Sequence, residues 1–391
     1  MVVKIADNIL SPLGATTTEN YNAVKAGLSA LRLHKSDNSV VAPFFASLLP
    51  DTMLTLQGGA AFLPHKVGDS AFLPHNNNNL SKFERMCIQS VASALGAPTS
   101  PWASSIDPSS DRVLFIVSTT KGDVQGWTPL GNSASVIARY FGNTQTPVVV
   151  SNACISGLCA QIEAMRLIER GDYDTVIVVG ADVQSPFIIS GFQSLKALSD
   201  EACRPFDADR KGLNLGEAAA TIIYGRLSKS QKPKANGQWL IKNGAIRNDA
   251  NHISGPSRTG EGSYLALRSV LKDIDINDIA FVNAHGTATL YNDEMESIAI
   301  ARAGLQDIPV GSLKGYYGHT MGAAGILETL ISMKAVEDGT VLATRGFQHL
   351  GVTHPIRVQS ENCKTDRKTF IKLISGFGGC NAAAVFSIVD S

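Results

Sequence analysis

Three side chains stand where the chain could gather a nucleophile and two hydrogen-bond donors: Cys154, His285 and His319. Cys154 ends PVVVSNAC and precedes SGLCAQIEAMRLIERG, so a strand hands over to a helix at the thiol. A thiol at such a junction faces the helix N-terminus, whose partial positive charge and free N–H groups favour thiolate. His285 follows IAFVN in NAHGTAT, again at the carboxyl end of a strand. His319 lies in SLKGYYGHTMGAAG, where glycines permit close backbone approach ahead of the helical run AAGILETLISMKAVEDG. Ligands and chemistry in open α/β sheets collect at the carboxyl ends of strands, which points all three side chains at one site. Cys159 and the other six histidines (His34, His65, His75, His252, His349, His354) read as packed or surface residues.

The elements that must position these groups are short, continuous, β-branched runs between amphipathic stretches. They are Val113 to Val117, Val148 to Ser151, Thr175 to Gly180, Ala220 to Tyr224, Ile279 to Asn283, Phe370 to Ile374 and Ala384 to Val389. Runs of this kind indicate strands covered on both faces, hence α/β layers around a largely parallel sheet. One strand, helix, strand unit is explicit around Cys154. Leu158, Ile162, Met165 and Ile168 share a helical face, Gly171 supplies the stop, and Thr175 begins the next strand. A second section of similar make-up runs from IAFVNAHGTAT to SGFGGCNAAAVFSIV, beyond a polar join at SKSQKPKANG. The spacing predicts two α/β halves, residues 1–227 with the cysteine and 228–391 with both histidines. Residues 36–81, with FLPH twice and the run Asn76 to Asn79, read as an excursion covering a site or a partner interface.

Composition narrows the function classes. The 34 basic and 34 acidic residues balance, which leaves no electrostatic footprint for nucleic acid and no polybasic anchor for a membrane surface. No stretch approaches the roughly 20 apolar residues of a membrane span, and no secretory leader opens the chain, so a reducing cytoplasm is the expected compartment. Six scattered cysteines form neither a disulfide framework nor a CxxC pair. The histidine spacing does not suit structural zinc, and there is no phosphate-binding GxxxxGK[ST] loop and no GxSxG elbow. No metal is expected.

Five stretches, taken together, resemble the elongating β-ketoacyl synthases of the thiolase superfamily over roughly residues 80–391. They are NACISG, ACRPFDADRKGLNLGEAAA, NAHGTATLYNDEME, SLKGYYGHTMGAAGILE and SGFGGCNAA, in the family's order. The resemblance implies a duplicated, thiolase-like αβαβα layered fold and a decarboxylative Claisen condensation. Cys154 would take the acyl group from an acyl carrier protein. His285 and His319 would donate hydrogen bonds to the malonyl thioester carbonyl as carbon dioxide leaves. Lys314 would orient the histidines and Glu328 would join the same polar network, while Asp293 and Glu296 would brace the loop after His285. The N–H groups of Cys154 and Phe377 would form an oxyanion hole, with Phe377 also gating malonyl access.

The same resemblance places Thr287 and Thr289 on the phosphopantetheine arm that carries the substrates and Phe192 beside the acyl pocket, with no bound cofactor. Lys196, Arg204 and Lys211 would dock the acidic carrier, Arg204 alternatively being held by Asp207. The family's sites are built at a dimer interface, which implies a homodimer or a heterodimer with a chain-length-factor-like subunit. Two alternatives stay open. One is a non-catalytic chain-length factor, although such subunits lose the nucleophile that Cys154 supplies. The other is a thiolase-type acyltransferase, although its Cys-Ile-Gly-like loop is missing here. Starter-type synthases carry Asn where His319 stands. The product's pathway, fatty acid or polyketide and polyene, is not specified by these motifs.

Overall fold

The computed structural model of the chain describes residues 1–35, 41–54, 80–96, 106–124, 126–227 and 237–389. Both FLPH repeats, the asparagine run and residues 228–236 of the polar join lie outside the described residues.

Ten strands form the central sheet: β1 (Val2–Leu10), β2 (Val113–Ser118), β3 (Val148–Val150), β4 (Thr175–Asp182), β5 (Ala218–Arg226), β6 (Gln238–Asn248), β7 (Ile279–Asn283), β8 (Val310–Gly311), β9 (Thr369–Gly376) and β10 (Cys380–Val389). Their order across the sheet is β8-β7-β9-β10-β6-β1-β5-β4-β2-β3. All seven runs picked out in the sequence are strands. The largely parallel sheet expected from them is, however, a mixed one. Pairing is parallel only at the two ends, in β8–β7–β9 and β4–β2–β3, and antiparallel throughout the middle. Among the antiparallel pairs, β9 and β10 follow one another directly through the tight turn Phe377–Gly379, so no crossover helix is needed there. The sequence of pairings reads the same from either end of the sheet. At its centre β1 and β6 meet through the single pair Val3 and Leu240.

The layers are built by α1 (Lys82–Gly96), α2 (Leu130–Tyr140), α3 (Ser156–Arg170), α5 (Glu261–Val270), α6 (Leu290–Arg302) and α7 (Ala324–Glu337), while α4 (Pro186–Ser194) and α6 carry site residues. One apolar cluster joins α1 and α2 to the outer face of β2, β4 and β5. Another joins α5 and α6 to the outer face of β7, β9 and β10. Between them the largest cluster holds α3 and α7, with residues from both groups of strands packed on them. Helix α7 is buried on nearly every side, as its sequence AGILETLISMKAVE, apolar all round, requires of a helix between two sheet faces. Helix α3 ends as expected at Gly171, whose φ of +87° closes the last turn onto the Ile168 carbonyl, and Asp172 N–H closes onto Leu167.

The N-terminal turns of α3 and α7 touch through glycine. A Cβ on Gly157 would stand 2.7 Å from the Gly322 carbonyl, and one on Gly325 would stand 2.3 Å from the Leu158 nitrogen. Side chains there would push Cys154 and His319 apart. The described part of the expected excursion, Phe44–Ser47, forms a short strand parallel to Leu215–Gly216, which in turn bridges to His319. Val41, Phe44 and Ala46 pack there with Ile189, Leu215 and Met321, an apolar floor beside the site.

Candidate active site

Cys154 sits between β3 and α3, on an elbow where Ala153 takes a φ of +45°, a left-handed conformation that a side chain adopts only when its surroundings hold it. The turn after β9 closes over this elbow. A Cβ on Gly376 would stand 3.1 Å from the Cys154 nitrogen and 2.9 Å from the Cys380 sulfur, so only glycine admits the approach. That approach sets the Phe377 N–H where it favours the anion at the Cys154 sulfur. One ring nitrogen each of His285 and His319 lies with this sulfur in a cluster no wider than 4.8 Å. The rings meet edge to face, their centroids 4.9 Å apart.

The cluster lies on a cleft of about 560 Å³, which Thr287, Thr289 and Phe377 also line. The Thr287 and Thr289 hydroxyls are 2.9 Å apart. Phe377, 38% exposed, stacks on Phe192 of α4 at 5.9 Å. Of the six cysteines only Cys154 lines this cleft.

A buried ionic network supports the histidines from below. The Lys314 ammonium donates to the His285 carbonyl at 3.1 Å and pairs with the Glu328 carboxylate. The other oxygen of Glu328 pairs with Lys372 at 2.6 Å. Lys372 in turn donates to the Asn283 side chain at 2.7 Å and to the carbonyls of Asn283 and Ala284, pinning the strand end that delivers His285. Burial works against the Glu328 charge, yet Lys314 and Lys372 hold this carboxyl below the usual range. Burial lowers Lys372 itself to about 8. Two lysines against one glutamate leave excess positive charge beneath the rings. Burial, followed by Lys314, holds both His285 and His319 well below the ordinary imidazole value, so both rings are neutral at physiological pH.

Asp293 and Glu296 of α6 brace the loop after His285. Glu296 accepts the His285 and Gly286 N–H groups, both at 2.7 Å, and Asp293 accepts those of Thr287 at 2.9 Å and Phe206 at 2.7 Å. Burial raises Asp293 to about 6 and Glu296 to about 7. Lys196 and Lys211 lie at the mouth of the cleft. The expected three-residue basic patch is not a free one: Lys211 and Arg204 both reach Glu201, at 3.5 and 3.7 Å, and Arg204 also reaches Asp209 at 4.0 Å. Arg204 is therefore held by Glu201 and Asp209, whereas the Asp207 side chain takes the N–H groups of Asp209, Gln348 and His349. Lys196 enters no ion pair among the described residues.

The thiolate expected at Cys154 meets a stronger opposing effect. The Lys314 charge and the Phe377 N–H favour the anion, but burial wins and pushes the thiol up to about 12. Alkylation of Cys154 by iodoacetamide in the free protein should therefore rise about tenfold per pH unit from pH 7 to about pH 9.5 without levelling, because the thiolate fraction limits the rate. Peptide mapping at each pH measures it. A plateau near pH 8 would mean that the helix end outweighs burial.

Residue types alone would suit a zinc ion at Cys154, His285 and His319. The tautomer of His319 decides otherwise. Its Nδ1 accepts the Met321 N–H at 3.2 Å, which leaves the ring proton on Nε2, a buried atom with no protein partner. His285 likewise has a buried, unpartnered Nδ1. The His319 edge thus offers a donor, which fits an oxygen gaining negative charge better than a cation.

The residue pattern alone did not point to Lys372, Asn283, Asp182 and Lys121. Lys372 could have been found as the one charge inside the apolar strand TFIKLISG, and Asn283 as the polar end of IAFVN.

Comparison with known proteins agrees with this geometry. The profile of the β-ketoacyl synthase N-terminal domain matches residues 113–230, and that of the C-terminal domain matches residues 240–348. The 3-oxoacyl-[acyl-carrier-protein] synthase 2 of Vibrio harveyi is 32% identical over 425 aligned positions covering 98% of each chain. A putative mitochondrial synthase of the same name from Schizosaccharomyces pombe is 30% identical over 275 residues, which span 65% of this chain and 64% of that protein. Among solved structures, the ishigamide ketosynthase/chain length factor superposes with a TM-score of 0.84 at 21% identity, covering 99% of both chains. A ketosynthase in complex with its chain length factor from Xenorhabdus doucetiae gives 0.79 at 23%, over 99% of this chain and 98% of that one. A type II polyketide ketosynthase solved with its acyl carrier protein gives 0.79 at 21%, over 99% of both. The architecture is the thiolase-like layered α/β fold of these ketosynthases. The chain belongs to the β-ketoacyl synthase family, and relatives of it are named 3-oxoacyl-[acyl-carrier-protein] synthases, which are acyltransferases.

Proposed function

We propose that the chain joins an acyl thioester to a malonyl thioester by decarboxylative condensation, with Cys154 as the acyl carrier. The Cys154 sulfur attacks the thioester carbonyl, the bond to the donor's phosphopantetheine sulfur breaks, and the thiol proton leaves with that sulfur. Malonyl thioester then loses carbon dioxide, and the electron pair of the broken bond passes into an enolate. The enolate carbon attacks the acyl-Cys154 carbonyl, the carbon–sulfur bond breaks, and the sulfur regains a proton. The products are 3-oxoacyl thioester and carbon dioxide.

His319 Nε2–H and His285 donate to the enolate oxygen. Their neutrality suits the task, since a neutral ring has no counter-ion to shed when the anion forms. Burial, Lys314 and Lys372 hold the rings neutral, and Glu328 holds the two lysines in place. The Phe377 N–H, with that of Cys154, takes the acyl oxygen during attack. Thr287 and Thr289 hold the pantetheine arm and Phe192 borders the acyl chain, so no resident cofactor is called on. The observation that carries this reading is one sulfur and two neutral imidazoles within 4.8 Å on a cleft that reaches Cys154.

The substrates arrive on an acyl carrier protein, and Lys196 is the base best placed at the mouth to meet an acidic one. The chain pairs with a second copy or with a chain-length-factor-like subunit. Support comes from β3, which among the described residues ends the sheet with its other edge unpaired and its three valines half-buried. No helix among the described residues is long and apolar enough to cross a membrane.

Intact-mass analysis with carrier proteins bearing acyl chains of different length tests the proposal. Loading of one acyl group, followed by carbon dioxide release on adding malonyl carrier, is the expected result. Absence of loading from every donor would overturn it in favour of a non-catalytic chain-length-factor role.

A further inference from the structure

We propose that Asp182 is a positioning residue for His319: it clamps the Met321–Gly322 turn, and that turn dictates which nitrogen of His319 carries the proton. The inference rests on the reading of His319 as the donor to the enolate.

Asp182 ends β4, is fully buried, and belongs to neither the cleft nor the Lys314 network. Its Oδ2 accepts the Gly322 N–H at 2.7 Å. Its Oδ1 accepts the Thr119 hydroxyl at 2.8 Å, while the Thr120 N–H and hydroxyl reach Oδ2, both at 3.0 Å. Lys121 pairs with Oδ1 at 3.1 Å. The carbonyl of Gly322 is held as well, by the Ser118 hydroxyl at 2.9 Å. Gly322, three residues past His319, is thus gripped through both its N–H and its carbonyl by residues at the ends of β2 and β4. Glycine is required at 322 for this grip: a Cβ there would stand 2.5 Å from the Thr119 Cα and 2.9 Å from Asp182 Oδ2.

The grip matters because the preceding residue is strained. Met321 has a φ of +54°, a conformation a non-glycine residue keeps only where its neighbours impose it. In that conformation the Met321 N–H points at His319 Nδ1. The backbone of His319 is fixed separately, its N–H on the Asn214 carbonyl at 2.7 Å and its carbonyl on the Gly216 N–H at 3.0 Å. Releasing Gly322 would therefore leave the His319 ring in place while freeing Met321 to relax to negative φ, and with it the choice of tautomer. A ring protonated on Nδ1 presents a lone pair to the cleft where the enolate oxygen needs a donor.

The test is Asp182→Asn, which keeps the size but offers an amide N–H₂ to one of two donor sets. Nitrogen NMR of histidine-labelled protein, with His319 assigned by its loss in His319→Ala, should show the Nε2–H form alone in the wild type and both forms in the variant. Carbon dioxide release from malonyl carrier should fall about tenfold in kcat, short of the loss on removing the donor outright, with KM and acyl loading of Cys154 within about twofold. An unchanged tautomer, or equal losses in acyl loading and decarboxylation, would overturn the clamp. A changed tautomer with decarboxylation intact would uphold the clamp and overturn the donor role of His319. If Asp182→Asn does not fold, Ser118→Ala, which frees only the Gly322 carbonyl, is judged by the same readouts.

Discussion

Cys154→Ala should take up no acyl group from any carrier, while Cys159→Ala and Cys380→Ala load as the wild type does. The difference between these sulfurs is not acidity. Burial pushes Cys154 and Cys159 alike to about 12 and Cys380 to about 11. What sets Cys154 apart is access and company: it alone lines the cleft, has the Phe377 N–H favouring its anion, and faces two imidazoles. Cys159 points off α3 toward Asn152, whose amide lies 3.9 Å from it. Removing a nucleophile from a covalent mechanism leaves no intermediate to detect, so the expected effect is complete loss rather than a fraction. Mapping the acyl group to any other cysteine of the wild type by peptide mass spectrometry would refute the assignment.

His285→Ala and His319→Ala should each slow carbon dioxide release from malonyl carrier by about 100-fold or more, the scale of about 3 kcal/mol for losing one preorganised donor to a developing oxyanion. Some acyl transfer to Cys154 should survive in both, because the oxyanion donors for that step are backbone groups at Cys154 and Phe377. The two variants should not behave identically in stability. His285 belongs to a loop already tied by Glu296 and Lys314, whereas His319 supplies the acceptor for Met321 N–H. Decarboxylation at the wild-type rate in either variant would remove that ring from the proposed chemistry.

The strand ends are legible in the sequence because buried strands of this sheet are continuous apolar runs that stop at polar or glycine residues, and the chemistry stands at those stops. The placing of Cys154 and His285 is therefore readable from residue order, whereas His319 lies beyond β8 and the short helix Lys314–Tyr317, where no strand end announces it. What one dimension hides is burial of charge. Strand β1 (VVKIADNIL) contains Lys4 and Asp7, which look like solvent-facing residues, yet they pair with each other almost out of water. Lys372, Asp182 and Lys121 escape notice for the same reason: a charge is assigned to solvent unless its partner is known, and these partners come from distant strands. The thiolate expectation fails alike, since the helix end is visible in the sequence but the desolvation that outweighs it is not. The mixed sheet is hidden because apolar runs identify strands without giving their direction.

The glycine contacts between α3 and α7 bear on how this molecule can move. With Gly157, Gly322 and Gly325 at backbone contact, the Cys154 and His319 segments are wedged together and have no slack through which a hinge could open. The rim is built differently: Phe192 and Phe377 stack there, and Phe377 is followed by Gly378 and Gly379 at φ +84° and +72°. Swinging one aromatic ring takes far less time than closing a domain. A wider opening of this cleft would then be a rotamer change over a fixed floor, with the spacing of Cys154 and His319 unaltered.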